Sequence, residues 1–94
     1  MLSCYGNGLS VLDLTKNSKL YYIDCGHNVL PELDLTQNSA LLYVDCQDNR
    51  LKSLDITKNE ELLYLYAQTN FEMGNIDSLI TRKYERLLLM ELLI

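Results

Sequence analysis

The sequence predicts a parallel β-solenoid, mainly β, with two short strands in each 21-residue coil and a short C-terminal helix. Three observations predict it. The same residues return every 21 positions, and apolar residues inside each period stand two apart, which is the spacing of a strand. Past Asn70 the period breaks, and the apolar residues that follow fall near helical spacing.

The repeat runs without insertion or deletion. Cys4, Cys25 and Cys46 are 21 apart, as are Asn7, Asn28, Asn49 and Asn70. Leu12, Leu33 and Leu54 keep the same step, followed by Asp13, Asp34 and Asp55, Thr15, Thr36 and Thr57, and Asn17, Asn38 and Asn59. One period reads L-x-x-L-x-L-x-x-N-x-L through Leu41, Val44, Cys46, Asn49 and Leu51. It then continues as L-x-x-L-D-L-T-x-N through Leu54, Ile56 and Asn59. Val44 with Cys46, and Leu54 with Ile56, predict two strands on opposite sides of a narrow core. The Asn positions close each strand, where their side chains can bond backbone groups that stacking would otherwise bury unpaired.

The first half of this unit is the leucine-rich repeat signature. Cysteine in place of a consensus leucine, the D-L-T-x-N second half and the 21-residue length together resemble a bacterial subclass, the internalin type, whose repeats stack their cysteines into a ladder. The resemblance covers residues 2 to 71. It implies a leucine-rich repeat solenoid that serves recognition on or outside a bacterial cell. It implies no chemistry, because a shared scaffold does not carry one.

Residues 1–71 thus form about three and a half coils, and 72–94 a helical cap or a truncated continuation. Glu72, Asn75 and Asp77 stand where the register requires apolar residues. Ile76, Leu79, Ile80, Tyr84, Leu87, Leu88 and Leu92 suit a helix with Asp77 or Ser78 as its N-cap. Such a helix would close the open end of the last coil. The chain opens inside a repeat at Leu2, and the tail from Leu87 to Ile94 is apolar nearly all round. These two features predict either a piece of a longer protein or ends that associate with another chain.

Composition narrows the function. A length of 94 residues suits one domain, and 48% hydrophobic residues supply a core. A formal charge of -5 with scattered Lys and Arg argues against a nucleic-acid partner. Met1-Leu2-Ser3-Cys4-Tyr5 has neither the basic start nor the apolar run of a signal peptide. Leu87 to Met90 and Leu92 to Ile94 are too short to span a bilayer.

No assembled chemistry is legible. Stacked strands lie about 4.8 Å apart, which sets Cys4 and Cys46 near ~10 Å on one line. Thiolates on one zinc cannot be more than about 4.6 Å apart. A disulfide between Cys25 and Cys46 is within range, but it would leave one thiol over and needs side chains that face each other. The cysteines are therefore read as small buried hydrophobes, with no metal and no cofactor. His27 follows Cys25 by two residues but is assigned to the turn before Asn28, with Asp48 and Thr69 as its equivalents, and is read as solvated. Asp13, Asp34 and Asp55 form one acidic ladder, and Asp24 with Asp45 another. Like charges on adjacent strands repel, so Thr hydroxyls, Asn amides or a calcium ion must compensate. The G-G-x-G-x-D repeat of calcium-binding solenoids is absent.

The binding face is expected on the first strand. Tyr22, Tyr43 and Tyr64 precede the core pair; Ser3, Asp24, Asp45 and Tyr66 lie between its members; Tyr5, Gly26, Gln47 and Gln68 follow it. A tyrosine column beside an acidic and amide column offers apolar area with polar handles. The same tyrosines can also brace the sheet through ring contacts. The D-L-T side hardly varies between coils and is read as architectural.

The expected function is a non-enzymatic module for protein or glycan recognition. The alternative is a structural or self-associating segment, forming a homo-oligomer through its ends or tail. Extracellular or cell-surface localisation follows from the resemblance, with cytoplasmic as the alternative.

Overall fold

The structure is a computed structural model and describes residues 1–70. The C-terminal helix expected within 72–94 lies outside the described residues.

One short strand per coil builds a parallel sheet: β1 (Leu2–Ser3), β2 (Tyr22–Asp24), β3 (Tyr43–Asp45) and β4 (Tyr64–Tyr66), in that order. The register equals the repeat. Leu2 pairs with Ile23, Ile23 with Val44 and Val44 with Leu65, so every partner is 21 residues on. Pairing runs past the strand ends, because the amides of Cys4, Cys25 and Cys46 donate to the carbonyls of Asp24, Asp45 and Tyr66, each at 2.8 Å.

The core consists of columns. Ile23, Val44 and Leu65 make one, and Cys25, Cys46 and Ala67 the next, all at most 3% exposed. Leu30 with Leu51, Leu33 with Leu54, Leu35 with Ile56 and Leu41 with Leu62 fill the remainder. In the first coil Leu2, Cys4, Leu9 and Leu12 are only partly buried against this core. The three cysteines are free thiols, and the fourth rung is Ala67.

The second strand of each coil is not formed. Among the described residues, Leu12–Leu14, Leu33–Leu35 and Leu54–Ile56 carry no strand, and the expectation of two strands per coil is corrected to one. Local capture of the backbone explains this. The carboxylate of Asp13 accepts the Thr15 amide at 2.9 Å and the Thr15 hydroxyl at 2.6 Å, and Asp34 with Thr36 and Asp55 with Thr57 repeat the motif. A donor engaged by its own coil cannot serve a ladder between coils. Tight turns follow at once, the Asn17 amide reaching the Leu14 carbonyl and the Leu20 amide the Asn17 carbonyl, each at 3.0 Å.

Two asparagine columns join the coils. Asn49 donates its amide to the carbonyls of Cys25 in the coil before and of Cys46 and Gln47 in its own, at 3.0 to 3.2 Å. Its oxygen accepts the Leu30 amide at 3.0 Å. Asn28 and Asn70 do the same one coil to either side. In the opposite turns Asn38 donates to the carbonyls of Leu14 and Asn17, and Asn59 to those of Leu35 and Asn38.

Asn49 is 4% exposed, and truncating it would leave the buried Leu30 amide without its acceptor and take one of two donors from each of the Cys25, Cys46 and Gln47 carbonyls. Asn49→Ala should lower unfolding free energy by about 3 kcal/mol or more, whereas Asn7→Ala, at an exposed rung, should cost under about 1 kcal/mol. Urea denaturation of both variants checks this; equal losses would show that the ladder does not hold the coils together.

Candidate binding face

Outside the core, the strands place their alternate side chains in columns on one face of the sheet. Tyr22 and Tyr43 stack almost parallel, with centroids 4.4 Å apart and planes 6° from parallel. Tyr64 continues the column at 6.3 Å from Tyr43, tilted by 47°, and Tyr66 closes on Tyr43 from the side at 5.6 Å. These separations fall in the range where aromatic pairs attract. Burial, helped by the charge of Asp45, pushes the Tyr43 hydroxyl up to about 12. Tyr43 is half-buried and Tyr64 exposed.

The acidic column lies beside the rings. Asp24 and Asp45 are partners across β2 and β3, so two carboxylates sit in direct register. Asp24 is half-buried, but Asp45, expected on the surface, is only 7% exposed. Neighbouring side chains cover it. Burial is the main cause that raises its carboxyl above the ordinary range, with the Asp24 charge adding to it and hydrogen bonds from Gln47 opposing. Those bonds come from the Gln47 amide N–H at 3.2 Å and its side-chain Nε2 at 3.0 Å. Gln68 extends the row by donating to Gln47 Oε1 at 3.0 Å. In the second coil the same position is Gly26, where a Cβ would meet Asp45 Oδ1 and Tyr5 Cδ2 at 3.4 Å and Asp24 Oδ1 at 3.5 Å. Tyr5, Asp24 and Asp45 thus close around the buried Gly26 at van der Waals distance.

The rim of the face is the turn that ends each strand. Gly6, His27, Asp48 and Thr69 occupy one column, all with left-handed backbone at φ between 53° and 71°. His27 Nε2 lies 2.7 Å from Asp48 Oδ2, and its ring packs on Tyr5 with centroids 4.6 Å apart. His27 is thus an exposed turn residue tied to the next coil. Cys25 lies in the core behind it, where burial raises the thiol to about 12, and burial raises that of Cys46 as well. A thiol held protonated in this way is a poor nucleophile.

A further column was not legible as part of the face. Tyr21, Leu42 and Leu63 are 50%, 40% and 55% exposed and adjoin the tyrosines in sequence. Alternation would turn every second residue inward, but the strand begins with a kink. The amides of Leu42 and Tyr43 both donate to the Tyr21 carbonyl, and those of Leu63 and Tyr64 both donate to the Leu42 carbonyl. Two consecutive side chains therefore stay outside the core. The 21-residue spacing of the three positions was the available signal.

On the far side, the Asp13, Asp34 and Asp55 carboxyls are held below the ordinary range, chiefly by the Thr hydroxyls and then by the Thr amides. The Thr hydroxyls supply the compensation that the charge ladder demands. No group of three or more His, Cys, Asp or Glu arranged to hold a metal ion occurs among the described residues. No helix among them is long and apolar enough to cross a membrane.

One strand per 21-residue coil, buried asparagine rungs and a column of free thiols together define a leucine-rich repeat solenoid of the cysteine-ladder kind. Among solved structures the chain is similar to the functional domain of InlJ from Listeria monocytogenes, which includes a cysteine ladder. The two share 34% identity with a TM-score of 0.78, over 81% of this chain and 17% of that one. No family model and no curated protein matches the chain.

The two acidic columns should respond to pH with opposite sign. Asp45 binds its proton more tightly folded than unfolded, so its ionisation removes stability as pH rises through and beyond the ordinary carboxylate range. Asp45→Asn should raise the thermal midpoint by a few degrees near pH 7, a gain that shrinks toward about pH 4. Asp13, Asp34 and Asp55 contribute above their unfolded value of about 3.9 and lose that contribution as pH falls through the lowered folded value. Thr36→Val should therefore move the Asp34 titration upward, as followed by carboxyl NMR. An unmoved Asp34 would remove the hydroxyl as the cause.

Proposed function

We propose that the chain is a non-catalytic recognition module that binds another protein, or a glycan, through the outward face of its sheet. It would belong to an extracellular or cell-surface bacterial protein, a placement supported by the resemblance to internalin-type repeats. One observation carries the reading: the aromatic surface of Tyr22, Tyr43 and Tyr64, flanked by exposed Tyr21, Leu42 and Leu63. Contiguous exposed apolar area with polar groups beside it is unusual on a solitary surface and is common at interfaces. Tyrosine brings contact area at small entropic cost and a hydroxyl for direction. The non-catalytic part is supported by the thiols, which lie in the core and are held protonated.

A second reading, self-association, is favoured by the exposure of Leu42 and Leu63. Size-exclusion with light scattering separates the two. A concentration-dependent oligomer that disappears on deletion of residues 87–94 supports the structural role.

A protein and glycan array probed with the chain should show binding that falls at least about tenfold in Tyr43→Ala and Tyr64→Ala. Binding undiminished in both variants would place the recognition surface elsewhere.

A further inference from the structure

Resting on that recognition reading, the charge pattern of the face narrows its partner. The columns that form it contain Asp24, Asp45 and Asp48 and neither lysine nor arginine. Lys16, Lys19, Arg50, Lys52 and Lys58 all fall at other positions of the repeat. His27 is the one basic side chain of these columns, and it is engaged with Asp48 at 2.7 Å. Asp24 and Asp45 stand in direct register, and the donors that reach them are the neutral groups of Gly26 and Gln47. Two like charges side by side are unfavourable in a sheet. On the far side each carboxylate has a Thr hydroxyl of its own coil, but Asp24 and Asp45 receive none. Asp24 is the half-buried, more accessible member of the pair, and the exposed Tyr5 ring lies close by.

We infer that the sheet face docks a cationic protein segment, whose lysine or arginine stems lie across the tyrosine and leucine columns while their heads meet Asp24, with Asp45 behind it. Long cationic side chains suit this surface because they carry an apolar stem and a charged tip. The Tyr rings can also attract the cation through their faces. An ammonium or guanidinium group placed there supplies the opposite charge that the two strands lack. An uncharged glycan would leave that repulsion in place, and an acidic partner would add to it.

The test uses the full chain and three fluorescent peptides of equal length with alternating Lys-Ala, Ser-Ala or Glu-Ala sequence. The Lys-Ala peptide should bind at least about tenfold tighter than Ser-Ala, weaken as salt is raised, and leave Glu-Ala unbound. Asp24→Asn with Asp45→Asn should remove that preference. The triple Asp13→Asn, Asp34→Asn, Asp55→Asn, which deletes more charge from the far side, should retain it. Thermal melts establish that each variant is folded, and Asp24→Asn alone replaces the double variant if that does not fold.

Equal affinity for the Lys-Ala and Ser-Ala peptides overturns the inference, as does a loss that follows the triple variant, since net charge alone would then explain binding. A dimer in light scattering that Leu63→Asp dissolves also overturns it, because a second copy then occupies the face. Tyrosine-dependent capture of an uncharged glycan, without any Lys-Ala preference, defeats this inference and leaves the recognition reading standing. Absence of all binding, on the array and to the peptides, defeats both.

Discussion

The structure depends on one constraint: every coil boundary buries backbone carbonyls that no β-ladder reaches. The asparagine side chain meets it because it offers two donors and an acceptor at the end of a short stem. Asn28, Asn49 and Asn70 each collect carbonyls from two successive coils with one amide group, and return an acceptor to a backbone amide of the earlier coil. A leucine there would fill the volume, leave the backbone amide unpaired and take one of two donors from each cysteine carbonyl. An aspartate would bring acceptors to a place that needs donors. The 21-residue period follows, since each asparagine must fall at the same distance from the strand that it closes.

Much of this was legible because the repeat is itself a statement about contacts. A cysteine that recurs every 21 residues on the inward side of a strand has to stack, and Cys25 and Cys46 occupy adjacent inward positions in paired register. The columns of Tyr22, Tyr43 and Tyr64 were readable by the same argument. The second strand was misread because apolar spacing of two reports an extended segment, whether or not a neighbour pairs with it. Just past Leu14 the Thr15 amide, a donor that a ladder would need, is taken by Asp13, and the D-x-T spacing was the hint. Burial of Asp45 was also hidden. A residue that points away from the core can still be covered when the residues around it are large, and the repeat pattern does not record height above a sheet. The exposed Leu42 and Leu63 escaped for a related reason, because a kink at the start of the strand overrides alternation.

The two faces handle charge in different ways. On the far side each aspartate is satisfied within its own coil by a threonine, so the ladder repeats without consequence. On the sheet face the carboxylates accept from neutral donors and lie beside aromatic rings, and the sequence changes from coil to coil: Ser3, Asp24, Asp45 and Tyr66 in one column, Tyr5, Gly26, Gln47 and Gln68 in another. Uniformity belongs to the scaffold and variation to the face proposed for recognition. The buried thiols belong with the scaffold. Cys46 is closed off from solvent, and the column passes to Ala67 without a change in role.

The corner that ends each strand bears on how such arrays lengthen. Its backbone twist is one that glycine adopts freely and other residues adopt at roughly 1 kcal/mol or more, and the β-branched Thr69 suits it least. Three coils out of four accept that tension at His27, Asp48 and Thr69, whereas the first relaxes it at Gly6. Someone extending the array by copying units would do best to graft the opening corner onto every added unit. The decorated corners could then be reserved for the few places where a protruding side chain has work to do at the rim.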